Sequence, residues 1–322
     1  MCGIAGIYHQ NLSPINPMIL KRMTDILQHR GPDDSGYFLF NLKTNDAQTS
    51  LAEPTHANEF HIGLGHRRLS ILDLSSHGHQ PMHNEDKTIW ITYNGEIYNY
   101  IELRAELVRA GHQFYSRTDS EVIIHAYEQW GIDCLNKFNG MWAFAILDTR
   151  QKKLFCARDR FGIKPFYFYY DKGAFYFASE IKALLQIRNL PIEYNHAKIL
   201  RYLIWGLIDE DEQTMIQSIK RLKPGHYLIL DKQKLSEACY YDLKSKLTLR
   251  EIQTEKIEQT FRELFFDSVN LRLRSDVPIG TCLSGGLDSS SILSVMRQLS
   301  PNATTLHTFS SIFKGEAIDE SR

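Results

Sequence analysis

The sequence carries no surplus of either charge: Lys plus Arg number 37 and Asp plus Glu 38 in 322 residues. A chain without a basic field lacks the electrostatics that hold a polyanion, so nucleic acid is not expected as a partner. No uninterrupted apolar run is long enough to cross a bilayer, and the start lacks the basic, apolar and small-residue zones of a secretion signal. These absences predict a cytoplasmic protein that meets no membrane. The five cysteines, Cys2, Cys134, Cys156, Cys239 and Cys282, form no CxxC pair. Neither a disulfide framework nor a zinc site is therefore expected, and all but Cys2 read as small buried residues. Internal repeats and low-complexity segments are also missing. What remains, 43% hydrophobic and 23% charged, is an ordinary folded chain long enough for two domains.

Short apolar runs bounded by turn residues recur up to about residue 180: CGIAGIY, GYFLFNL, IGLGH, TIWITYNG, MWAFAILD, KLFCARD, FYFYYD and AFYFASE. Such a series predicts a domain of two packed sheets. Helical patterns over 101–110 and 120–130 make it α+β, a layered αββα arrangement rather than a pure sandwich. A further helix is expected over 196–205, and Pro224-Gly225 marks a turn before a short strand. Residues 243–255 are polar and form the boundary. Beyond it Ile257, Phe261, Leu264, Phe265 and Val269 have helical spacing, which predicts a core-facing helix. VPIGTCL reads as a buried strand, SGGLDSS as a turn and SSILSVMRQL as a helix. The expected division is 1–243, a linker at 244–255, and 256–322.

A thiol is a strong nucleophile only as thiolate, and it needs a base or a positive environment to ionise near neutral pH. If Met1 is removed, Cys2 carries both the thiol and a free α-amine, whose ordinary pKa is about 7.7–8.0. One residue then supplies nucleophile and base, and Ile4, Ala5 and Ile7 can anchor the strand that holds it. From MC alone, an accidental second residue explains Cys2 as well.

The order of further motifs changes that balance: QHRGPDDSG (28–36), GHRRLSILD (65–73), YNGEIYN (93–99), RTDSE (117–121), FNGMWAFAILD (138–148), ARDRFGIKP (157–165) and ASEIKAL (178–184). Together with MCGIAG they resemble the class II glutamine amidotransferase domain, an N-terminal-nucleophile hydrolase fold, in the version found in glutamine-hydrolysing asparagine synthetases. The resemblance implies that Cys2 attacks the glutamine side-chain amide and releases ammonia. It implies an oxyanion site at the side chain of Asn94 and the backbone N–H of Gly95, Arg68 on the substrate carboxylate, and Glu96 with Asp119 on its ammonium. These residue types suit those tasks, since an amide donates without protonating and a guanidinium forks onto a carboxylate. Read singly, they have plainer meanings. Asn94-Gly95 is a common hairpin turn, Arg68 and Asp119 are ordinary surface ions, and Arg67 competes with Arg68 for the role; only the family's placement before Leu-Ser-Ile favours Arg68.

LSGGLDSS (283–290) lies between a strand pattern and a helix, where a phosphate-binding turn belongs, but it is not a Walker A loop. It resembles the pyrophosphate loop of ATP pyrophosphatases. That likeness implies ATP binding by Leu283, Ser284, Gly285, Gly286, Asp288, Ser289 and Ser290, with Mg2+ arriving as part of the ATP complex, no protein-held metal and no tightly bound cofactor. LRLRSDVPIG before it also matches the asparagine synthetase family, whose members continue well beyond this point. Ile312 departs from the glycine usual there. The expectation is an ATP-dependent carbon–nitrogen ligase that joins ammonia to activated aspartate, with its synthetase half truncated. Glutamine, aspartate and ATP are the expected partners, and a homodimer is allowed. The competing readings are a glutaminase-only or non-catalytic truncated product, or an amide-forming synthetase of secondary metabolism.

Overall fold

The computed structural model describes the chain apart from residues 52–58, 233, 248–253, 302–304, 317–318 and 320–322. The described residues form two compact units, 1–246 and 247–322. Half of the expected linker, 248–253, lies outside the described residues.

The first unit opens with β1 (Gly3–His9), α1 (Pro17–Asp25), β2 (Asp34–Phe40), β3 (Ala47–Gln48) and β4 (Ile62–Arg68). Next come β5 (Met82–His83), β6 (Ile89–Ile97), α2 (Tyr100–Arg109), α3 (Asp119–Trp130) and α4 (Cys134–Lys137). Then follow β7 (Gly140–Asp148), β8 (Lys153–Arg158), β9 (Tyr167–Asp171), β10 (Ala174–Ala178), α5 (Ile181–Leu184) and α6 (His196–Trp205). The unit closes with β11 (Lys220–Arg221), β12 (His226–Leu230), β13 (Leu235–Cys239) and α7 (Leu243–Lys246).

Seven strands make one sheet, in the order β11-β9-β10-β1-β4-β2-β3, and six make a second, β13-β12-β8-β7-β6-β5. The period-two alternation of each strand divides its side chains between two cores. On β1, Ile4 and Tyr8 enter the cluster between the sheets, with Phe38, Trp90, Phe166 and Phe177. Ala5 and Ile7 face the other way, into a cluster with Leu20 and Met23 of α1 and Leu184 of α5. Gly6 lies on the inter-sheet face because a Cβ there would come within 2.2 Å of the Phe177 ring. The second sheet is covered on its far side by α2 and α3 through Leu103, Leu107, Val122 and Ile123. Helices therefore cap both outer faces of a two-sheet sandwich, which is the αββα arrangement the motifs imply.

The second unit contains α8 (Thr254–Arg272), β14 (Gly280–Cys282), α9 (Leu287–Leu299) and β15 (His307–Phe309), with β14 and β15 paired in parallel. Here the structure corrects the sequence reading. The apolar stripe of α8 forms as a helix, but Ile257, Phe261 and Leu264 are exposed, and the hydrophobic cluster holds only Val269, Val295 and Met296 as buried members. The expected buried strand is likewise mostly exposed along β14. Among the described residues, two strands and two helices offer too little area to bury an α/β core on both faces. Cys282 is exposed for that reason, and Cys239 because it ends the edge strand β13; only Cys134 and Cys156 are the buried cysteines expected.

Such a sparse core predicts low protection of the second unit. Amide hydrogen exchange should proceed at least tenfold faster in α8 and α9 than in β7; equal protection in the two units would overturn this assignment.

Candidate functional site

Cys2 stands one residue ahead of β1, a central strand hydrogen-bonded to β10 on one side and β4 on the other. The strand's start is fastened by side chains. Ser179 Oγ accepts the Ile4 N–H at 3.0 Å, and Arg30 Nε donates to the Cys2 carbonyl at 2.9 Å. Arg30 is itself held by Glu180 at 2.9 Å. Burial works to raise the Glu180 carboxyl, but hydrogen bonds from Arg30, Lys182 and His29 overcome it and hold the group at about 2. The Cys2 Sγ accepts the Leu69 N–H at 3.4 Å.

Burial pushes the thiol above its ordinary range, against the Leu69 hydrogen bond. At neutral pH it therefore rests as thiol, and attack requires a base at the moment of reaction. The chain-terminal amine, on Met1 in this chain, is shifted the opposite way, first by burial and then by the Lys164 and Arg30 cations. A lowered amine is neutral more of the time and so more often available as a base, though a weaker one.

Cys2 opens on a pocket of about 130 Å³ lined by, among others, Arg68, Asn94, Gly95, Glu96, Asp119 and Lys164. Asn94 and Gly95 lie in mid-strand on β6, opposite Ala143 and Trp142 of β7, so the hairpin-turn reading does not apply. Two alternating residues reach the site from one strand, and the glycine between Asn94 and Glu96 is required by packing: a Cβ on Gly95 would sit 2.2 Å from the Met141 carbonyl oxygen. Asn94 Nδ2 is buried and has no hydrogen-bond partner. An unpaired buried donor costs about 1–3 kcal/mol, which is recovered when an acceptor arrives.

Adjacent residues of β4 divide between the two faces of the sheet. Arg67 pairs with Asp25 of α1, on the helix side, whereas Arg68 lines the pocket. Its guanidinium is fixed by the carbonyls of Ser75 at 3.0 Å, Leu72 at 3.1 Å and Asp73. The Arg67–Arg68 ambiguity is thus decided by strand parity.

Asp119 is the first residue of α3, after the N-cap Thr118. A helix N-terminus favours a carboxylate, and Asp119 Oδ2 accepts from Tyr93 Oη at 2.7 Å and from the Ile97 N–H at 2.8 Å. Burial nevertheless wins and pushes the carboxyl up to about 6. Glu96 is raised as well, by burial first and then by the Asp119 charge. Two mutually repelling carboxyls in a small pocket have the chemistry to take up a cation, whose arrival would relieve the repulsion.

Lys164 is the pocket residue the motifs do not single out. It is buried, with its pKa lowered by burial and supported by the Glu96 charge. It lies within ARDRFGIKP, one of the ordered motifs, in which no residue is given a site role from the sequence. Asp159 accepts the N–H groups of Phe161, Ile163 and Lys164 at 2.9–3.0 Å, and Arg158 donates to the Lys164 and Gly162 carbonyls. That folded loop delivers the lysine to the pocket.

In the second unit, Ser284, Gly285 and Gly286 turn from β14 into α9, and Gly285 takes φ +83°. Gly286 caps the helix, Ser289 Oγ donates to the Gly286 carbonyl at 3.2 Å, and Asp288 lies in the first helical turn. Leu283 is tied to β15 through its N–H and the Phe309 carbonyl at 2.8 Å. The loop leaves Gly285, Gly286 and Asp288 exposed at a helix N-terminus, and Ser290 is half-buried.

A family profile for the glutamine amidotransferase domain matches residues 1–241. The chain belongs to that family. A second profile, asparagine synthase, matches residues 260–322. A putative glutamine-hydrolysing asparagine synthetase from Methanocaldococcus jannaschii is 39% identical over 98% of this chain and 60% of its own length. Asparagine synthetase 1 of Bacillus subtilis is 36% identical over 99% of the chain and 47% of its own. The chain thus spans about half the length of the curated relatives it matches. Among solved structures, the glutamine phosphoribosylpyrophosphate amidotransferase of B. subtilis superimposes with a TM-score of 0.56 at 16% identity, covering 98% of this chain and 67% of that one. This last likeness concerns the fold alone, and it agrees with the αββα unit described above.

The raised Asp119 carboxyl has a consequence for stability. Its folded value of about 6 exceeds the ordinary 3.8, so the penalty is absent below about pH 4 and fully present above about pH 6. Asp119→Asn keeps an oxygen for both donors and removes the charge. At pH 7.5 it should therefore raise stability by up to about 3 kcal/mol, and the gain should vanish near pH 4. Urea melts at both pH values check this; a gain that does not change with pH would refute the assignment.

Proposed function

We propose that the first unit hydrolyses the side-chain amide of glutamine at Cys2 and that the ammonia is passed to an ATP-activated carboxyl group, that of aspartate, giving asparagine. The observation that carries the proposal is the unpartnered Asn94 amide, buried on the pocket that Cys2 shares with a fixed cation and two carboxyls. With Met1 removed, the freed Cys2 amine takes the thiol proton as Sγ attacks the amide carbon. Asn94 Nδ2 and the Gly95 N–H receive the developing oxyanion. The amine then hands its proton to the departing nitrogen, which leaves as ammonia, and water cleaves the thioester to glutamate. Arg68 would bind the substrate carboxylate, while Glu96 and Asp119 would bind the ammonium. Burial and the Lys164 charge lower the chain-terminal amine on Met1, and Lys164 would act in the same sense on the freed one.

In the second unit the Ser/Gly turn before α9 suits a phosphate chain, with backbone N–H groups and the hydroxyls of Ser284, Ser289 and Ser290 as donors. Asp288 has the donor chemistry to hold the Mg2+ that accompanies ATP. The substrate carboxylate would attack the α-phosphorus and expel pyrophosphate, and ammonia would displace AMP from the mixed anhydride. The names of the relatives support this pairing of glutaminase and ligase. The reaction would run in the cytoplasm, with glutamine, aspartate and ATP as partners, no nucleic acid, and a homodimer as an allowed assembly.

The test is mass spectrometry of protein quenched during turnover with glutamine. A glutamyl adduct on residue 2 and release of ammonia are expected, both lost in Cys2→Ala. Asn94→Ala should lower kcat about 10²–10³-fold, the usual cost of one oxyanion donor. Ammonia release undiminished in Cys2→Ala would end the proposal.

A further inference from the structure

The far end of α3 carries a second cluster, which the chemistry at Cys2 does not use. His125 and Glu128 share a helical face at i, i+3 spacing. His112 meets them from the turn after α2, its ring centroid 5.0 Å from that of His125. One ligand atom from each of the three residues lies within 4.8 Å of the other two.

A hydrogen bond at His112 fixes which of its nitrogens is available, while at His125 an ion would take the place of a proton shared with Glu128. His112 Nε2 lies 3.1 Å from Gln129 Oε1, an acceptor, so the proton belongs on Nε2 and the Nδ1 lone pair is free. That Nδ1 is 3.7 Å from Glu128 Oε2. His125 Nδ1 approaches the same oxygen at 2.8 Å. Its other nitrogen, Nε2, is buried without a hydrogen-bond partner and faces carboxylate oxygens of Glu121 at 3.7 Å and Glu85 at 3.9 Å. Glu128 Oε1 accepts from Asn84 Nδ2 at 2.7 Å, which orients the carboxylate.

Two imidazole nitrogens therefore converge on one carboxylate oxygen, with acceptors behind both rings. A proton can serve the 2.8 Å contact but leaves the 3.7 Å one unserved. An ion with bonds of about 2 Å spans both, and the carboxylates and amide behind the rings are the outer groups that set histidine tautomers at metal centres. We propose that His112, His125 and Glu128 form a binding site for a divalent cation of the zinc class, with water completing a four-coordinate shell. Cysteine spacing carries no sign of it, because the ligands are histidines and a glutamate brought together by a turn and a helix. A bound ion would clasp the segment between α2 and α3, and so secure the approach to Asp119.

The test is titration of the metal-stripped full chain with Co2+ at pH 7.5. One equivalent should bind with the strong visible bands of tetrahedral cobalt, Zn2+ should bleach them, and Zn2+ should raise the melting temperature. His112→Asn, at a partly solvent-accessible position, should weaken binding about tenfold or more; Glu128→Gln is the second variant should the first fail to fold. Cys2→Ser should bind as the parent does. Absence of binding, bands unchanged in the folded His112 or Glu128 variant, or bands lost in Cys2→Ser would each overturn the proposal.

Discussion

The first unit depends on the anchoring of the chain start beside a buried strand. Residue 2 adjoins a strand paired on both sides, and the Cys2 carbonyl is gripped by an arginine whose own counter-ion comes from the segment after β10. Termini ordinarily fray, because few contacts offset the entropy of the last residues. Here the Ile4 N–H, the Cys2 carbonyl and the Cys2 thiol each have a partner drawn from distant sequence, which removes much of that freedom before any ligand binds.

The same burial sets the electrostatics. Removing water raises the thiol and both carboxyls and lowers the amine and Lys164. All of these groups are shifted toward their neutral forms, a shared effect of low polarizability rather than a set of separate pairings. The pocket is therefore held in a state that a zwitterionic ligand would relieve at both ends, with the cation Arg68 at one side and the paired carboxyls at the other. Preorganised charge of this kind needs little rearrangement when charge develops in a reacting group.

Much of this was legible in the sequence. The alternation of CGIAGIY and GYFLFNL fixed strands whose two faces feed two cores, and the ordered motifs led to Cys2, Arg68, Asn94 and Asp119. Lys164 was not legible, since its side chain reaches the pocket only through the turn that Asp159 organises, and no local pattern announces the destination of a loop. In the second unit the core-facing reading of α8 fails for another reason. Periodicity reports which face of a helix is apolar, not whether anything covers it, so Phe261 and Leu264 read as core although they stand exposed. Cys239 and Cys282 failed similarly, because apolar neighbours in sequence do not reveal that a strand is an edge.

The opposite facing of Arg67 and Arg68 bears on how this unit can change over time. Because neighbouring residues on β4 point to opposite sides, gain or loss of one residue within the strand would exchange the pocket cation for the one that serves α1. Length variation should therefore accumulate between Asn41 and Asp46, in the turn that joins β2 to β3 outside the ladder, and be purged within it. Parity, more than residue identity, is the inherited quantity there.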